Sequence, residues 1–310
     1  MTRVLVTGGA GFIGSNLARA LLERGDEVRV LDNFSTGSRA NLEDVDVEVV
    51  EGELRSYERV HAAVRGSEVV FHLGALGSVP RSVQDPLTSN AVNVEGTMNV
   101  LLAARDEGVG RVVFSSSSSV YGSKRELPVT ESLLADPISP YGVAKLAAER
   151  YCVSFSRVYH SLEAVVLRYF NVFGPRQSPL SQYAAAVPLF VAAIDQGEPV
   201  TIYGDGEQSR DFTYVANVVD ATVRAAEVPG ANGRIFNVAA GAPATVNHVA
   251  ETIGLILGKP VEKRFEAPRP GDIRDSWGDI TAARETLGYE PQVDLATGLE
   301  LTAEAIVARV

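Results

Sequence analysis

The sequence predicts an α/β fold: a doubly wound parallel sheet covered by helices on both faces, with a smaller α/β lobe beside it. Three observations predict it. Short apolar, β-branched runs alternate with amphipathic stretches over the first two-thirds of the 310 residues. A glycine-rich turn, TGGAGFIG at 7–14, follows the first of these runs and opens the first amphipathic stretch. After residue 170 the regularity loosens, and prolines and glycines become frequent. Strands that are apolar on both faces and separated by helices belong to a parallel sheet buried from both sides.

Taken in order, the strand candidates are RVLVTG (3–8), EVRVLD (27–32), VEVVEG (47–52), EVVFHLG (68–74), RVVFSS (111–116) and EAVVLRYF (163–170). Between the first two lies SNLARALLERG (15–25), an amphipathic helix with Gly25 as its stop. Further on, FTYVANVVDATVRAAE (212–227) reads as a helix with a leading strand, and RIFNVAAG (234–241) as one more strand. Both are expected to rejoin the first sheet. The expected division is therefore 1–174, with 212–241 returning to it, and a lobe made of 175–211 and 242–310.

A hydrophobic share of 45% and a charged share of 22% are those of a globular chain with a substantial core. The net charge of −11 argues against nucleic acid and anionic membranes as partners, since both want a basic face. It leaves room for a phosphorylated small molecule, because backbone amides and one or two arginines can hold a phosphate inside an acidic protein. Cys152 is the single cysteine, so no intrachain disulfide forms and a cytoplasmic location is expected. The start, MTRVLVTGG, has too few apolar residues for a signal peptide. The longest apolar stretch, AAAVPLFVAAI at 184–194, is too short to cross a bilayer and contains Pro188. No metal site is expected.

Within TGGAGFIG, Gly8, Gly11 and Gly14 are three apart, between a strand and a helix. Glycines at such places permit a tight turn, let backbone amides approach a pyrophosphate and bring the helix close to the sheet. The helix start adds unpaired N–H groups and a favourable dipole. A glycine triplet alone also fits a plain structural turn. Asp32 adds to it by ending the second strand, near the spacing of about 20 residues at which an acid bonds the adenosine ribose in Rossmann-type sites. The residues after it, NFSTG (33–37), begin with no Arg to receive a 2′-phosphate, which favours NAD over NADP.

FSSSSSVYG (114–122) continues the fifth strand candidate. A serine run alone is more often a flexible connector, but the carboxyl end of a strand is where open α/β sheets bind ligands. Downstream stands SPYGVAKLAAE (139–149), in which Tyr141 and Lys145 project from one helix face about a turn apart. An ammonium beside a phenol favours the phenolate, and a phenol so tuned can act as a general base. By itself Tyr-x-x-x-Lys is commonly a surface pair; beside a nucleotide turn and a serine run at a strand end it points to chemistry.

In order and spacing, TGGAGFIG, DNFSTG, HLGALGSVPRSVQDP, FSSSSSVYG, SPYGVAK, RYFNVFGPRQ, GDGEQSRDF and RPGD resemble the extended short-chain dehydrogenase/reductases, and within them the UDP-hexose 4-epimerases, over essentially the whole length. The resemblance implies Ser117, Tyr141 and Lys145 as the catalytic set, with Ser116 in support. It implies NAD contacts at Gly8, Gly11, Phe12, Ile13, Gly14, Asp32, Asn33, Phe34, Ser35, Thr36 and Gly37. Further contacts fall on Glu53, Leu54, Leu73, Gly74, Ala75, Asn93, Ser115, Tyr141, Lys145 and Phe170. Glu53 departs from the Asp usual in the family. For a UDP-sugar it implies Ser78, Ser116, Ser117, Tyr141, Asn171, Val187, Thr201, Ile202, Tyr203, Arg210, Arg269, Asp272 and Ser276. Two guanidinium groups, Arg210 and Arg269, suit a diphosphate; the plainer reading of each is a surface ion pair with Asp211 or Asp272.

The implied reaction is reversible inversion at C4 through a transient 4-keto sugar, with NAD regenerated in every cycle. Related 4,6-dehydratases carry an acidic pair where this chain has Ser118 and Ser119, and UDP-glucuronate decarboxylases carry Glu at the position of Ser119, so neither reaction is favoured. By the same resemblance, a small residue at Ser276 leaves room for an N-acetyl group at C2 of the sugar, and ALGSVPRSVQDPLTSNA (75–91) is similar to the N-acetylhexosamine epimerases. A UDP-glucuronate 4-epimerase is the alternative, against which Asn171 counts, since those enzymes usually carry Thr there. A net dehydrogenase and a non-catalytic NAD-binding regulator are the remaining readings. The resemblance also implies a homodimer built on the helices near 86–107 and 141–160.

Overall fold

The computed structural model describes residues 1–123, 126–179, 185–268 and 273–308. Seven strands form one fully parallel sheet: β1 (Arg3–Thr7), β2 (Glu27–Asp32), β3 (Glu48–Glu51), β4 (Val69–His72), β5 (Arg111–Ser117), β6 (Glu163–Tyr169) and β7 (Ile235–Val238). Their order is β7-β6-β5-β4-β1-β2-β3. Every strand of the sheet coincides with a run read from the sequence. Successive side chains enter opposite cores: Val4, Val6, Val113 and Val165 lie in one buried cluster, and Leu5, Val112, Phe114 and Val166 in the other. This is why the strands read as continuous apolar runs rather than alternating ones.

The helices cover both faces. On one side α1 (Phe12–Glu23) packs beside the helix Val215–Glu227. On the other, α2 (Tyr57–Val64) packs on α3 (Gly96–Asp106), and α4 (Pro140–Val158) lies against β5 and β6. α1 ends just before Gly25, whose φ of +90° suits the glycine that stops the helix. The sheet order reverses between β1 and β4, so a crevice opens beyond their carboxyl ends, the position at which such sheets bind ligands.

One expectation changes. The leading strand of the 212–227 segment, Thr213–Tyr214, pairs in parallel with Val172–Phe173 and stays outside the seven-stranded sheet. The cause is the backbone after β6: Asn171 has a φ of +29°, which turns the chain out of the sheet plane, and its carbonyl receives Thr213 N at 3.3 Å. Only β7 rejoins the sheet, on the outer edge of β6.

The remaining chain packs the helices Ala186–Gln196, Val246–Leu257 and Leu295–Val307 together. It also forms a parallel pair, Val200–Tyr203 with Lys263–Glu266, and a three-stranded sheet in which Ser209–Arg210 lies between Ala244–Thr245 and Asp275–Ser276. Among the described residues no helix is long and apolar enough to cross a membrane, and no cluster of His, Cys, Asp and Glu could hold a metal ion.

Candidate active site

The glycine turn after β1 lines a cleft of about 930 Å³. The turn itself leaves no space for side chains at Gly8 and Gly14. A Cβ on Gly14 would lie 2.2 Å from Gly8 O, and one on Gly8 would lie 2.7 Å from Gly74 Cα. Gly8 also has a φ of +70°, which L side chains rarely adopt. α1 starts at Gly11 with no side-chain cap, so its first-turn amides are left for a ligand. These features fit a dinucleotide pyrophosphate.

Of the residues expected at NAD, Gly8, Gly11 to Gly14, Asp32, Asn33, Ser35, Thr36, Glu53, Leu54, Leu73 to Ala75 and Ser115 line this cleft. Asp32 braces it, accepting Ala10 N at 3.0 Å and Phe34 N at 2.8 Å. Burial raises its carboxyl above the usual range, and these backbone bonds oppose the rise. Phe34, at a φ of +55°, lies 4.0 Å beneath the Arg39 guanidinium. Gly37 backs directly onto Ala10. Glu53 is paired at the surface with Arg55, 2.7 Å away.

Two expected NAD contacts act differently. The Asn93 amide is buried and clamps the backbone of Leu76, receiving its N–H at 2.8 Å and donating to its carbonyl at 3.3 Å. It therefore holds the cleft wall rather than facing the cleft. Phe170 is wholly buried, its ring against Gly278 and 6.2 Å from the Tyr121 ring; it is a core residue. The same wall is tied through Thr7, whose hydroxyl accepts Gly74 N at 3.1 Å and lies 2.7 Å from His72 Nδ1. Burial drives His72 down to about 3, so the ring is neutral.

The serine run resolves into distinct roles. Ser115 Oγ donates to His72 O at 3.2 Å. Ser116 corrects the sequence expectation: β5 turns its hydroxyl into the interior, where it donates to Glu149 Oε1 at 2.6 Å, so it does not meet a substrate. Ser117 ends β5 and caps the turn Ser118–Tyr121. Its Oγ accepts from Ser119 N at 3.2 Å and from Ser119 Oγ at 2.9 Å. With its lone pairs so engaged, the Ser117 proton is left to donate.

Tyr141 sits in the first turn of α4, which Ser139 caps by accepting Gly142 N at 3.1 Å. A Cβ on Gly142 would lie 2.7 Å from Ser119 O, so glycine there allows α4 to approach the serine turn closely. Tyr141 is half-buried, with its phenol close enough to Ser117 for the serine to act on its titration. Burial pushes the phenol up to about 12, and Ser117 acts in the opposite direction. The other tyrosine near the run, Tyr121, donates its hydroxyl to Asn237 Oδ1 at 2.6 Å in the core.

Lys145 corrects a second expectation. Its ammonium is not what sets the phenol: Nζ donates to Ser115 O at 2.8 Å and lies 4.8 Å from the Phe114 ring centre. Burial lowers it to about 8, with the Glu149 carboxylate pulling upward.

The expected sugar-nucleotide residues are spread more widely. Ser78 lines the main cleft and caps the helix Val79–Gln84, accepting Arg81 N at 3.2 Å. Asn171 is exposed. Tyr203 and Arg210 line a second cavity of about 710 Å³. Arg210 donates to Ser209 O at 2.7 Å and Arg274 O at 2.8 Å. Its surface pairing with Asp211 does not form, because that carboxylate is buried and accepts Ala240 N at 2.7 Å. Thr201 accepts from Arg264 at 2.8 Å. Ile202 and Val187 are corrections: both side chains belong to the buried core. On Val200–Tyr203 the alternate residues Val200 and Ile202 point inward. Ser276 is half-buried and gives its carbonyl to Asp211 N at 2.9 Å. Arg269 and Asp272 lie outside the described residues.

Sequence reading missed several cavity residues. Arg81 and Arg176 line the main cleft, and Gln208, Phe265 and Arg274 line the second cavity. Arg81, Arg176 and Gln208 stood inside motifs already quoted, where their placement in the order was the available signal; Phe265 carried none.

A parallel sheet with its crevice at the strand reversal, an uncapped glycine turn and a Ser–Tyr pair at a strand end define a dinucleotide-dependent α/β enzyme. The chain belongs to the NAD dependent epimerase/dehydratase family, which it matches over residues 4–239. It is 41% identical to a UDP-glucose 4-epimerase of Mycolicibacterium smegmatis, across 97% of each chain. The UDP-glucose 4-epimerase structure from Thermotoga maritima, with UDP-glucose, superposes with a TM-score of 0.95 at 39% identity over 99% of each chain. A UDP-N-acetylglucosamine 4-epimerase from Methanobrevibacter ruminantium, in complex with UDP-N-acetylmuramic acid, also gives 0.95, at 38% identity over 100% of this chain and 99% of that one.

Proposed function

We propose that this NAD-dependent UDP-sugar 4-epimerase inverts C4 of UDP-glucose and UDP-galactose and also accepts their N-acetylhexosamine counterparts. The observation that carries the reading is the seating of the first turn of α4, which bears Tyr141, against the turn that follows Ser117, with Gly142 pressed onto Ser119 O, at the carboxyl end of the strand whose Ser115 lines the nucleotide cleft. The first-turn amides of α1 and Asp32 would hold NAD. When bound, NAD supplies the hydride acceptor and a cationic ring. Tyr141 Oη, as the phenolate, takes the proton of the sugar 4-hydroxyl and becomes the phenol, and Ser117, with its proton free to donate, stabilises the phenolate beforehand and the sugar oxygen as it loses its proton. Lys145, one helical turn along α4 and tied to the β5 backbone, would orient the cofactor. Arg210 would hold the diphosphate, so the sugar stays tethered while its other face turns to the cofactor.

The test is the product spectrum of purified protein offered UDP-glucose, UDP-N-acetylglucosamine and UDP-glucuronate without added NAD. Turnover of the first two is expected. Turnover of the glucuronate alone would overturn the substrate assignment, and NADH accumulating in solution would make the enzyme a net dehydrogenase. Because Ser276 is read as the small residue beside C2, Ser276→Tyr is expected to lower kcat/KM for UDP-N-acetylglucosamine at least about tenfold, with UDP-glucose changed by less than about threefold. Equal losses on both sugars would remove Ser276 from that role.

A homodimer belongs to this reading. Leu87 is 83% exposed and Val83 62% exposed, on short helices packed against α4. On α4 the exposed Val143, Tyr151 and Val158 fall on one stripe at helical spacing. An isologous contact between two such faces would cover them. Sedimentation is expected to give a dimer at micromolar concentration, with Leu87→Asp raising the dissociation constant about a hundredfold. A monomeric wild-type chain would refute it.

A further inference from the structure

Directly beneath the proton-transfer pair lies an ion pair that the reaction does not use. Glu149 is 0% exposed and Arg168 1%. The guanidinium grips the carboxylate with two bonds, Nε to Oε1 at 2.9 Å and Nη2 to Oε2 at 2.7 Å. Ser116 Oγ adds a third at 2.6 Å. A buried ion pair is no better for stability than an apolar packing of the same volume in many proteins, so its geometry is the more informative property.

The three residues come from three elements. Ser116 and Arg168 are register partners on β5 and β6, and their side chains therefore share a sheet face. Glu149 follows Lys145 by one helical turn and Tyr141 by two, on the same face of α4. The carboxylate thus bolts α4 to the end of β5 immediately before Ser117. Arg168 extends the tie by stacking 4.6 Å over the Tyr121 ring, which closes the serine turn.

We propose that Glu149 is a positioning residue: held by Arg168 and Ser116, it sets the height of α4 against the end of β5, and with it the approach of Tyr141 to Ser117. This rests on the epimerase reading above. A slip of α4 by a fraction of a turn would separate the two hydroxyls while leaving in place the glycine turn after β1 and Asp32 of β2, which line the nucleotide cleft. The proposal therefore concerns turnover and not binding.

The experiment compares wild-type holoenzyme with Glu149→Gln and Ser116→Ala for kcat, KM, bound NAD and amide hydrogen exchange. Ser116→Ala removes one tie and leaves the ion pair intact, so it remains informative if Glu149→Gln does not fold. Misplacement of about 1 Å can lower a rate about a hundredfold. Ser116→Ala is expected to lower kcat about tenfold and Glu149→Gln about a hundredfold, with KM and bound NAD within about twofold. Amides of 139–145 are expected to exchange about tenfold faster while the rest of the sheet keeps its protection. A Ser116→Ala kcat within about twofold of wild type would overturn the proposal. So would faster exchange throughout the chain, which marks a merely structural role. If wild-type protein turned over no UDP-sugar, the functional reading would fail, and the local exchange pattern would still decide the positioning of α4.

Discussion

Tyr141→Phe is expected to lower kcat about a thousandfold, within the range that a positioned acid–base group contributes, while the protein keeps its NAD and its affinity for UDP-sugars. The phenylalanine ring occupies the same half-buried space in the first turn of α4, so the fold loses only one hydroxyl. That hydroxyl is the one whose titration Ser117 pulls downward. Because the phenol stands near 12, a phenolate needs stabilisation from its surroundings before it can take a proton near neutral pH. Ser117 is built to give some of it, since Ser119 occupies its acceptor positions. Tyr121→Phe is the matching control, since that hydroxyl is bonded to Asn237 in the core; it should cost stability and leave kcat within a small factor. Single-turnover measurement with UDP-glucose separates chemistry from product release. A Tyr141→Phe enzyme within about tenfold of wild type would remove Tyr141 as the base.

Lys145→Met is expected to abolish turnover and yet stabilise the folded chain near neutral pH. Lys145 is 3% exposed, and burial lowers its ammonium to about 8, against about 10.5 in an unfolded chain. A depressed lysine is a cost that is fully present below the folded value, where both states hold the proton and the folded state holds it unfavourably. Between about 8 and 10.5 the unfolded chain binds the proton that the folded chain has released, so wild-type stability rises with pH across that window. Above it both states are neutral and the cost is gone. The shift corresponds to about 3 kcal/mol at pH 7. Denaturant unfolding of NAD-free wild type and Lys145→Met should therefore differ most at pH 7 and converge toward pH 10.5. A difference independent of pH would mean that Met packing, and not the buried charge, is responsible. The ordinary reason to keep such a residue is its function.

The sheet was legible because its strands are short, β-branched and apolar on both faces, a pattern imposed by helices on each side. The nucleotide turn was legible for a different reason: only glycine tolerates the contacts at Gly8 and Gly14, so the chemistry writes itself into residue type. Tyr141 and Lys145 were legible as a pair by helical spacing, and Ser117 by resemblance, at the end of β5. The leading strand at 213–214 was misplaced because pairing partners depend on where the chain turns, and the positive φ of Asn171 has no reliable signature in sequence.

By itself, then, the sequence determined the α/β class and the glycine-rich dinucleotide turn, because each is encoded in local pattern over a few residues. Tertiary structure alone decided which way each hydroxyl faces. Neighbouring residues on a strand point to opposite faces, so Ser116 and Ser117, identical in type, became an interior tie to Glu149 and the cap of the turn beside Tyr141. It also decided that Lys145 bonds the β5 backbone and that Asn93, Phe170, Ile202 and Val187 serve the scaffold. Burial and hydrogen-bond partners come from elements far apart in the chain, and no local spacing carries them.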